Sequence, residues 1–460
     1  MRPSGAGRSS TLAALLCCAL AACGGGERPA GPNVILISID TLRADHLGCY
    51  GHSRNTSPQL DRLAAGATLY RRSFASSPWT IPSHASMFTG KLPFEHGAHS
   101  IDPPDPRGDV YPLGLDNLTL AEALADEGYD TGAFIANWAY LVPELQLNQG
   151  FQTYEVHNEH AGRLNQRIFR WLTQKAEAPF FLFINYIDTH RPYNVRPRPG
   201  LLDQPVVEDG GQLLDQLMEQ VLPGRGPIPA DLVKRVKDQY DTSIANLDEA
   251  LGALLERLRR MELLDSTLIV ITSDHGEYFG EHHLVEHSKD IYQEAVWVPL
   301  IVRAPGQTEG REVDEPVSST DVPALIYAHF EGERAARFRK AFPDRPGEHP
   351  VVTQNYYTRP KDLYHKTWGQ RFMRVRTAIY DWPLKLIRSS DGHHELYDLE
   401  ADPREADNLY ARRTELAARL FERLEQVEAS RPRYQFTGSP EQRYSPEQLQ
   451  RLREMGYIGK

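Results

Sequence analysis

Two nearly continuous apolar runs constrain the fold of this chain more than any other feature. Asn33-Val34-Ile35-Leu36-Ile37-Ser38-Ile39 leads into Asp40, and Thr267-Leu268-Ile269-Val270-Ile271-Thr272-Ser273 leads into Asp274-His275-Gly276-Glu277. Runs this rich in β-branched residues, with no polar alternation, suit strands covered on both faces, which is the setting of a parallel sheet flanked by helices. Ahead of the second run, Tyr240, Ile244, Leu247, Leu251, Leu254 and Leu258 recur at spacings of four and three. That stripe predicts a long amphipathic helix packed on the sheet. Strands alternating with helices predict an α/β domain with a doubly wound, mostly parallel sheet. At 460 residues and 40% hydrophobic content, the chain can fill such a core and a smaller second unit.

Ligands of open α/β sheets bind beyond the carboxyl ends of the strands. Asp40, Asp274 and His275 stand at those ends, and two carboxylates with an imidazole form a ligand set for a divalent cation. The competing reading makes each acid an ordinary helix N-cap.

The stretch Ser77-Pro78-Trp79-Thr80-Ile81-Pro82-Ser83-His84-Ala85-Ser86-Met87-Phe88-Thr89-Gly90 predicts an exposed Thr80 hydroxyl just ahead of a short helix. Pro82 suits a first helical position and Gly90 suits the stop. A hydroxyl placed there meets unpaired N–H groups and the positive end of the helix dipole, which favour an alkoxide and an anionic ester alike. Thr80 is therefore the candidate nucleophile, against the plainer reading of a Pro-started surface helix.

Net charge is −11, from 51 Lys and Arg against 62 Asp and Glu, which argues against nucleic acid as a partner. Arg2 and Arg8 precede an apolar run from Leu12 to Ala22 that is too short to span a bilayer and long enough for a signal peptide. It ends Leu20-Ala21-Ala22-Cys23 before three glycines, which resembles a bacterial lipobox, so residues 1–22 are expected to leave and a lipidated Cys23 to anchor the chain to a membrane. Residues 23–32 would be the tether, facing the periplasm or the exterior. With Cys17 and Cys18 removed, Cys49 remains as the one Cys beyond Cys23, so no disulfide links core residues.

Taken in order, these segments make the chain resemble the sulfatase family of the alkaline phosphatase superfamily. The resemblance includes Leu42-Arg43-Ala44-Asp45-His46-Leu47-Gly48-Cys49-Tyr50-Gly51, Ser57-Pro58-Gln59-Leu60-Asp61, Gly128-Tyr129-Asp130-Thr131, Tyr186-Ile187-Asp188-Thr189-His190, Val298-Pro299-Leu300 and Glu395-Leu396-Tyr397-Asp398-Leu399. It implies an alkaline phosphatase-like fold and a metal-dependent hydrolase of anionic esters. A site of Asp40, Thr80, Asp274 and His275 would hold zinc, manganese or calcium, with zinc or manganese favoured by the imidazole. The substrate would be an anionic ester on a glycan, a lipid headgroup or a small molecule.

Departures from the family pattern carry as much as the matches. Family members have Cys or Ser at the Thr80 position, oxidised to formylglycine, and Arg at the His84 position. Threonine would give a ketone instead of that aldehyde. A threonine ester must then be opened by water at the transferred group, as the resemblance implies for the superfamily's phosphatases, phosphodiesterases and phosphoethanolamine transferases with unmodified Ser or Thr, so phosphate or phosphonate esters are favoured over sulfate. Sulfate hydrolysis without formylglycine and transfer to an alcohol remain open. The family's paired acids are Asp40-Thr41 here, and Asn137 stands near an absent Lys. By the same resemblance His190 contacts the transferred group, His287 is a candidate general acid, and His84 helps to balance developing charge. Asp188, His190 and His287 are also ligand types for a second metal, whereas His282 and His283 read as surface residues.

The catalytic domain is expected over 33–333, a C-terminal α+β subdomain over 334–432 with a closing helix near Thr414 to Ala429, and a tail helix over 433–460. Residues 196–229 read as an insertion without periodicity, either a lid or a passive loop. A catalytically silent, anion-binding lipoprotein is the alternative of another class. Retention of Asp40, Thr80, Asp274 and His275 together favours the enzyme.

Overall fold

A computed structural model of the chain describes residues 31–435 apart from 101–103, 105–109, 176–178, 194–195, 197 and 199–209. The expected signal peptide, Cys23 and the expected helix at the C-terminal end lie outside the described residues.

The main sheet contains β1 (Asn33–Ile39), β2 (Thr68–Tyr70), β3 (Asp130–Ile135), β4 (Thr153–Val156), β5 (Phe180–Tyr186), β6 (Thr267–Ser273), β7 (Leu300–Arg303) and β8 (Arg311–Val313). Their spatial order is β8-β2-β7-β6-β1-β5-β3-β4. β7 runs antiparallel to β2 and β6, while the remaining pairings are parallel. Alternate β1 residues enter separate cores. Ile35, Ile37 and Ile39 face one layer, and Val34 and Leu36 the other, which is why the run is apolar at every step.

The helices that position the site are α1 (Thr80–Thr89), α2 (Ala161–Lys175), α3 (Gly210–Val221) and α4 (Ala230–Arg260). The predicted stripe of α4 is buried, from Tyr240 through Leu258. The expectation of a structureless 196–229 segment is corrected. Leu213, Leu214, Leu217, Met218 and Val221 form a buried helical stripe on α3 that the surrounding Pro and Gly had obscured.

In the C-terminal unit, β9 (Val352–Asn355), β10 (Arg376–Asp381), β11 (Leu384–Ser389) and β12 (Glu395–Asp398) form an antiparallel sheet, closed by α5 (Thr414–Ser430). Ala417, Leu420, Leu424 and Val427 of α5 meet Ile379, Leu386 and Leu396 in a separate core. The helix Gly332–Ala341 crosses the expected boundary at 333, and its Ala335 and Phe338 pack with the main domain. No helix among the described residues is long and apolar enough to cross a membrane.

Candidate active site

Register brings the two carboxylates together. β1 lies between β5 and β6, with Ile39 opposite both Tyr186 and Ser273, so Asp40 and Asp274 leave the sheet as neighbours. Burying each Ile, Leu or Val of these strands contributes about 1.5–3 kcal/mol, so a shifted register is costly. The strand ends are also bonded to each other. Ser273 Oγ donates to Ile39 O at 2.6 Å and accepts the Leu42 N–H at 2.9 Å. Tyr240 Oη donates to Thr41 O at 2.7 Å, fixing the turn after Asp40 from α4.

Thr41 has φ 59, a left-handed conformation that costs a β-branched residue strain. The turn aims its N–H at Asp274 Oδ1, 3.2 Å away, and its hydroxyl at Thr189 O, 2.7 Å away. The Thr41 hydroxyl therefore does not replace the missing acid.

α1 begins at Thr80 and not at Pro82, with Trp79 extended before it and Gly90 left-handed after it. Pro82 falls within the first turn, where its missing N–H breaks no helical hydrogen bond. The expectation of an exposed Thr80 is corrected, because all of α1, Thr80 included, is buried. Ser83 Oγ donates to Asp274 O at 2.6 Å and ties this helix to the end of β6. Thr80 Oγ1 thereby comes within 3.3 Å of His275 Nε2.

One ligand atom from each of Asp40, Asp274 and His275 lies within 4.8 Å of the others. His275 Nδ1–H donates to Gly276 O at 3.0 Å, which leaves the Nε2 lone pair facing Asp274 Oδ2 and Thr80. Asp40 Oδ2 accepts from Asn137 Nδ2 at 2.6 Å, but Asp40 Oδ1 and Asp274 Oδ2 are buried without hydrogen-bond partners among the described residues. Burial, followed by repulsion from Asp274, pushes the Asp40 pKa up to about 6. Burial pushes Asp274 up to about 7 against the N–H groups of Thr41 and His275. Two strained carboxylates with unused oxygens beside an imidazole lone pair fit a divalent cation.

The other predicted histidines divide into two groups. His287 packs on His275 with ring centroids 4.4 Å apart, and His190 lies 5.2 Å from His287. His190 Nδ1–H donates to Arg191 O at 2.8 Å, leaving Nε2 free for a ligand. His84 differs, because its Nδ1–H donates to Thr80 O at 2.8 Å and burial pushes its pKa down to about 3. The His84 ring is wedged against Phe88 and Phe183, and its hydrogen bond supports the Thr80 backbone. Asp188 is also turned to another use, accepting the Ala161 N–H at the start of α2. His282 is not a free surface residue, since its ring stacks 3.8 Å from Tyr292 and it pairs with Glu294 at 3.5 Å.

Sequence reasoning gave no role to Glu277. Its Oε1 lies 3.1 Å from His287 Nδ1, and its Oε2 accepts from Tyr193 Oη at 3.1 Å. Burial, then the Glu286 charge, pushes Glu277 up to about 8, while burial holds His287 well below the usual imidazole range. These shifts favour the proton on Glu277, with His287 Nδ1 accepting it and Nε2 of a neutral His287 carrying the ring proton. Its place in Asp274-His275-Gly276-Glu277 was the available signal.

The Sulfatase family model matches residues 32–332. An uncharacterized sulfatase, YidJ, of Escherichia coli (strain K12) is 24% identical, with 82% of this chain and 83% of the relative covered. An ulvan-active sulfatase of Formosa agariphila is 23% identical over 87% of this chain and 82% of its own. Among solved structures, the phosphonate monoester hydrolase of Agrobacterium radiobacter superposes with a TM-score of 0.66 at 21% identity, covering 87% of this chain and 96% of that one.

Proposed function

This chain belongs to the sulfatase family, whose members are ester hydrolases, and from that premise we propose a metal-dependent hydrolase that cleaves phosphate or phosphonate esters, ahead of sulfate esters, through a covalent Thr80 intermediate. The observation that carries this reading is an unmodified Thr80 hydroxyl 3.3 Å from His275 Nε2, beside the two unpartnered carboxylate oxygens. A divalent cation held by Asp40, Asp274 and His275, with Thr80 as a fourth ligand, would acidify the Thr80 hydroxyl so that its proton leaves to water.

Thr80 Oγ then bonds the phosphorus or sulfur while the bond to the leaving alcohol breaks. The leaving oxygen takes the Nε2 proton of His287, and the Glu277 proton moves to Nδ1. Water attacks the same centre in the second step and gives a proton to His287 Nε2 as the Nδ1 proton returns to Glu277. Thr80 Oγ leaves and regains its proton from solvent. His190 Nε2 faces the transferred group in this arrangement.

Phosphorus is favoured over sulfur because threonine cannot form the aldehyde hydrate from which sulfate is eliminated. The fold likeness to a phosphonate monoester hydrolase is compatible with this choice. The ulvan-active sulfatase among the relatives keeps glycan esters within the substrate class. Parallel turnover of aryl phosphate, phosphodiester, phosphonate and sulfate by wild type and Thr80→Ala, each with zinc, manganese or calcium, tests the reading. Thr80-dependent cleavage of a phosphorus ester is expected. Thr80-dependent release of sulfate alone would reverse the order, and no Thr80-dependent turnover would favour the silent anion-binding lipoprotein.

The reading extends to the protein's location. Leu20-Ala21-Ala22-Cys23 supports removal of residues 1–22 and a lipid anchor on Cys23 in a bacterial envelope. Incorporation of labelled fatty acid that Cys23→Ser abolishes is the expected result.

A further inference from the structure

Beyond the metal carboxylates lies a second charged cluster, assembled across the junction with the C-terminal unit. Glu286 is wholly buried at φ 60 and is held by Arg191 Nη1, by Arg359 Nη2 and, at 3.2 Å, by Lys289 Nζ. Asp362 pairs with both Arg359 and Lys289 at 3.1 Å, and Asp215 pairs with Arg191 at 2.8 Å. Lys361 adds a fourth cation, and its pKa is lowered by burial and then by the Arg359 charge.

The cluster borders the reaction centre. Glu286 directly precedes His287, whose ring packs on His275, and Arg191 directly follows His190. The Arg359 charge acts on His287, on Glu277 and on Tyr140. Tyr140 donates its backbone N–H to Asn137, the residue that holds Asp40. Arg359 Nε is buried and has no hydrogen-bond partner among the described residues.

Ester hydrolysis at an anionic centre calls for a fixed cation. The positions at which the family resemblance places Arg and Lys are occupied here by a neutral His84 and by Asn137. A guanidinium is suited to this task, because its planar donors match the oxygens of a phosphate, sulfate or carboxylate. We propose that Arg359, delivered by the C-terminal unit and partly neutralised by Glu286, is the cationic anchor for an anionic oxygen group of the ester substrate, so that the site is complete only when both units are docked. The substrate in this inference rests on the ester-hydrolase reading above, but its test does not require turnover.

Calorimetric titration of inorganic phosphate into the full, metal-loaded chain separates a failed anchor from failed hydrolysis. Arg359→Gln is expected to weaken phosphate binding at least tenfold, and Arg359→Lys less. Glu286→Gln leaves Arg191, Arg359 and Lys289 with one counter-charge fewer and is expected to tighten binding at least threefold. Aryl esters with and without a ring carboxylate then locate the anion. Equal losses of kcat/KM in Arg359→Gln place it on the transferred group, and a loss confined to the carboxylated ester places it on the leaving alcohol. Phosphate affinity within twofold of wild type in Arg359→Gln overturns the proposal. So does a Glu286→Gln protein that binds phosphate as weakly as Arg359→Gln, the result of a purely structural ion-pair cluster. If Arg359→Gln does not fold, the direction of the Glu286→Gln change decides.

Discussion

Replacing Asp274 by Asn should stabilise the metal-free protein at alkaline pH, the reverse of what a buried polar substitution normally does. In the folded chain burial raises the Asp274 pKa from 3.8 to about 7, so the native state holds this proton more tightly than the unfolded state. Stability then falls as pH rises from the unfolded value through the folded one, and above about pH 7 the whole penalty is present. The difference corresponds to on the order of 4 kcal/mol at pH 8 and shrinks to about 2 kcal/mol or less at pH 5. Asn has no such proton and can still accept the Thr41 and His275 N–H groups that reach Asp274 Oδ1. Urea denaturation in EDTA should therefore show Asp274→Asn more stable than wild type at pH 8, with the gap closing toward pH 5. Saturating metal should reverse the order, because wild type then gains binding free energy that the variant loses. A variant no more stable than wild type at pH 8 in EDTA would show that the carboxylates are not strained as the geometry requires.

Three further predictions address other parts of the molecule. Glu277→Gln keeps a donor on His287 Nδ1 but has no proton to pass to it when Nε2 protonates the leaving oxygen, so kcat/KM should fall by about 10²–10⁴, as in Glu277→Ala. The wild-type rate should fall above about pH 8 as Glu277 ionises, and a pH profile of Glu277→Gln should lack that alkaline limb. Lys385 is wholly buried, donating to Ile291 O at 2.6 Å and pairing with Glu405 at 2.7 Å. Lys385→Met should cost about 3–5 kcal/mol in denaturant unfolding, and adding Glu405→Gln should recover part of it. Asp248, on α4, caps the helix Pro58–Ala64 by accepting the Gln59 and Leu60 N–H groups at 2.8 and 2.9 Å, so Asp248→Ala should cost about 1–2 kcal/mol in the same assay.

The parts of the site legible in the sequence are those fixed by strand ends and local motifs. Asp40 and Asp274 followed runs whose apolar pattern already implied parallel neighbours, and that pairing brings their carboxylates together. Thr80 was singled out by its place ahead of a Pro-started helix, and His190 and His287 by the family resemblance. What stayed hidden depends on contacts distant in the chain. Pro82 suggested the wrong first turn for α1, because Ser83 and the end of β6 pull Thr80 into the helix and under cover. The burial of His84 involves packing against Phe183, about a hundred residues away, which no local pattern records. Arg359 sits in an unpatterned Thr358-Arg359-Pro360 stretch, and its proximity to Glu286 arises only when the C-terminal sheet docks. The α3 stripe was legible in principle, but the Pro and Gly around it carried more weight than its spacing.

Trapping the covalent intermediate is the most direct test of the central claim. Metal-loaded protein mixed with an aryl phosphate or phosphonate, quenched in acid and digested, should yield a peptide carrying the phosphorus group on Thr80, and the adduct should be absent from Thr80→Ala. Rapid Thr80-dependent release of sulfate with no phosphorus adduct at Thr80 would contradict the account, as would an adduct on any other residue.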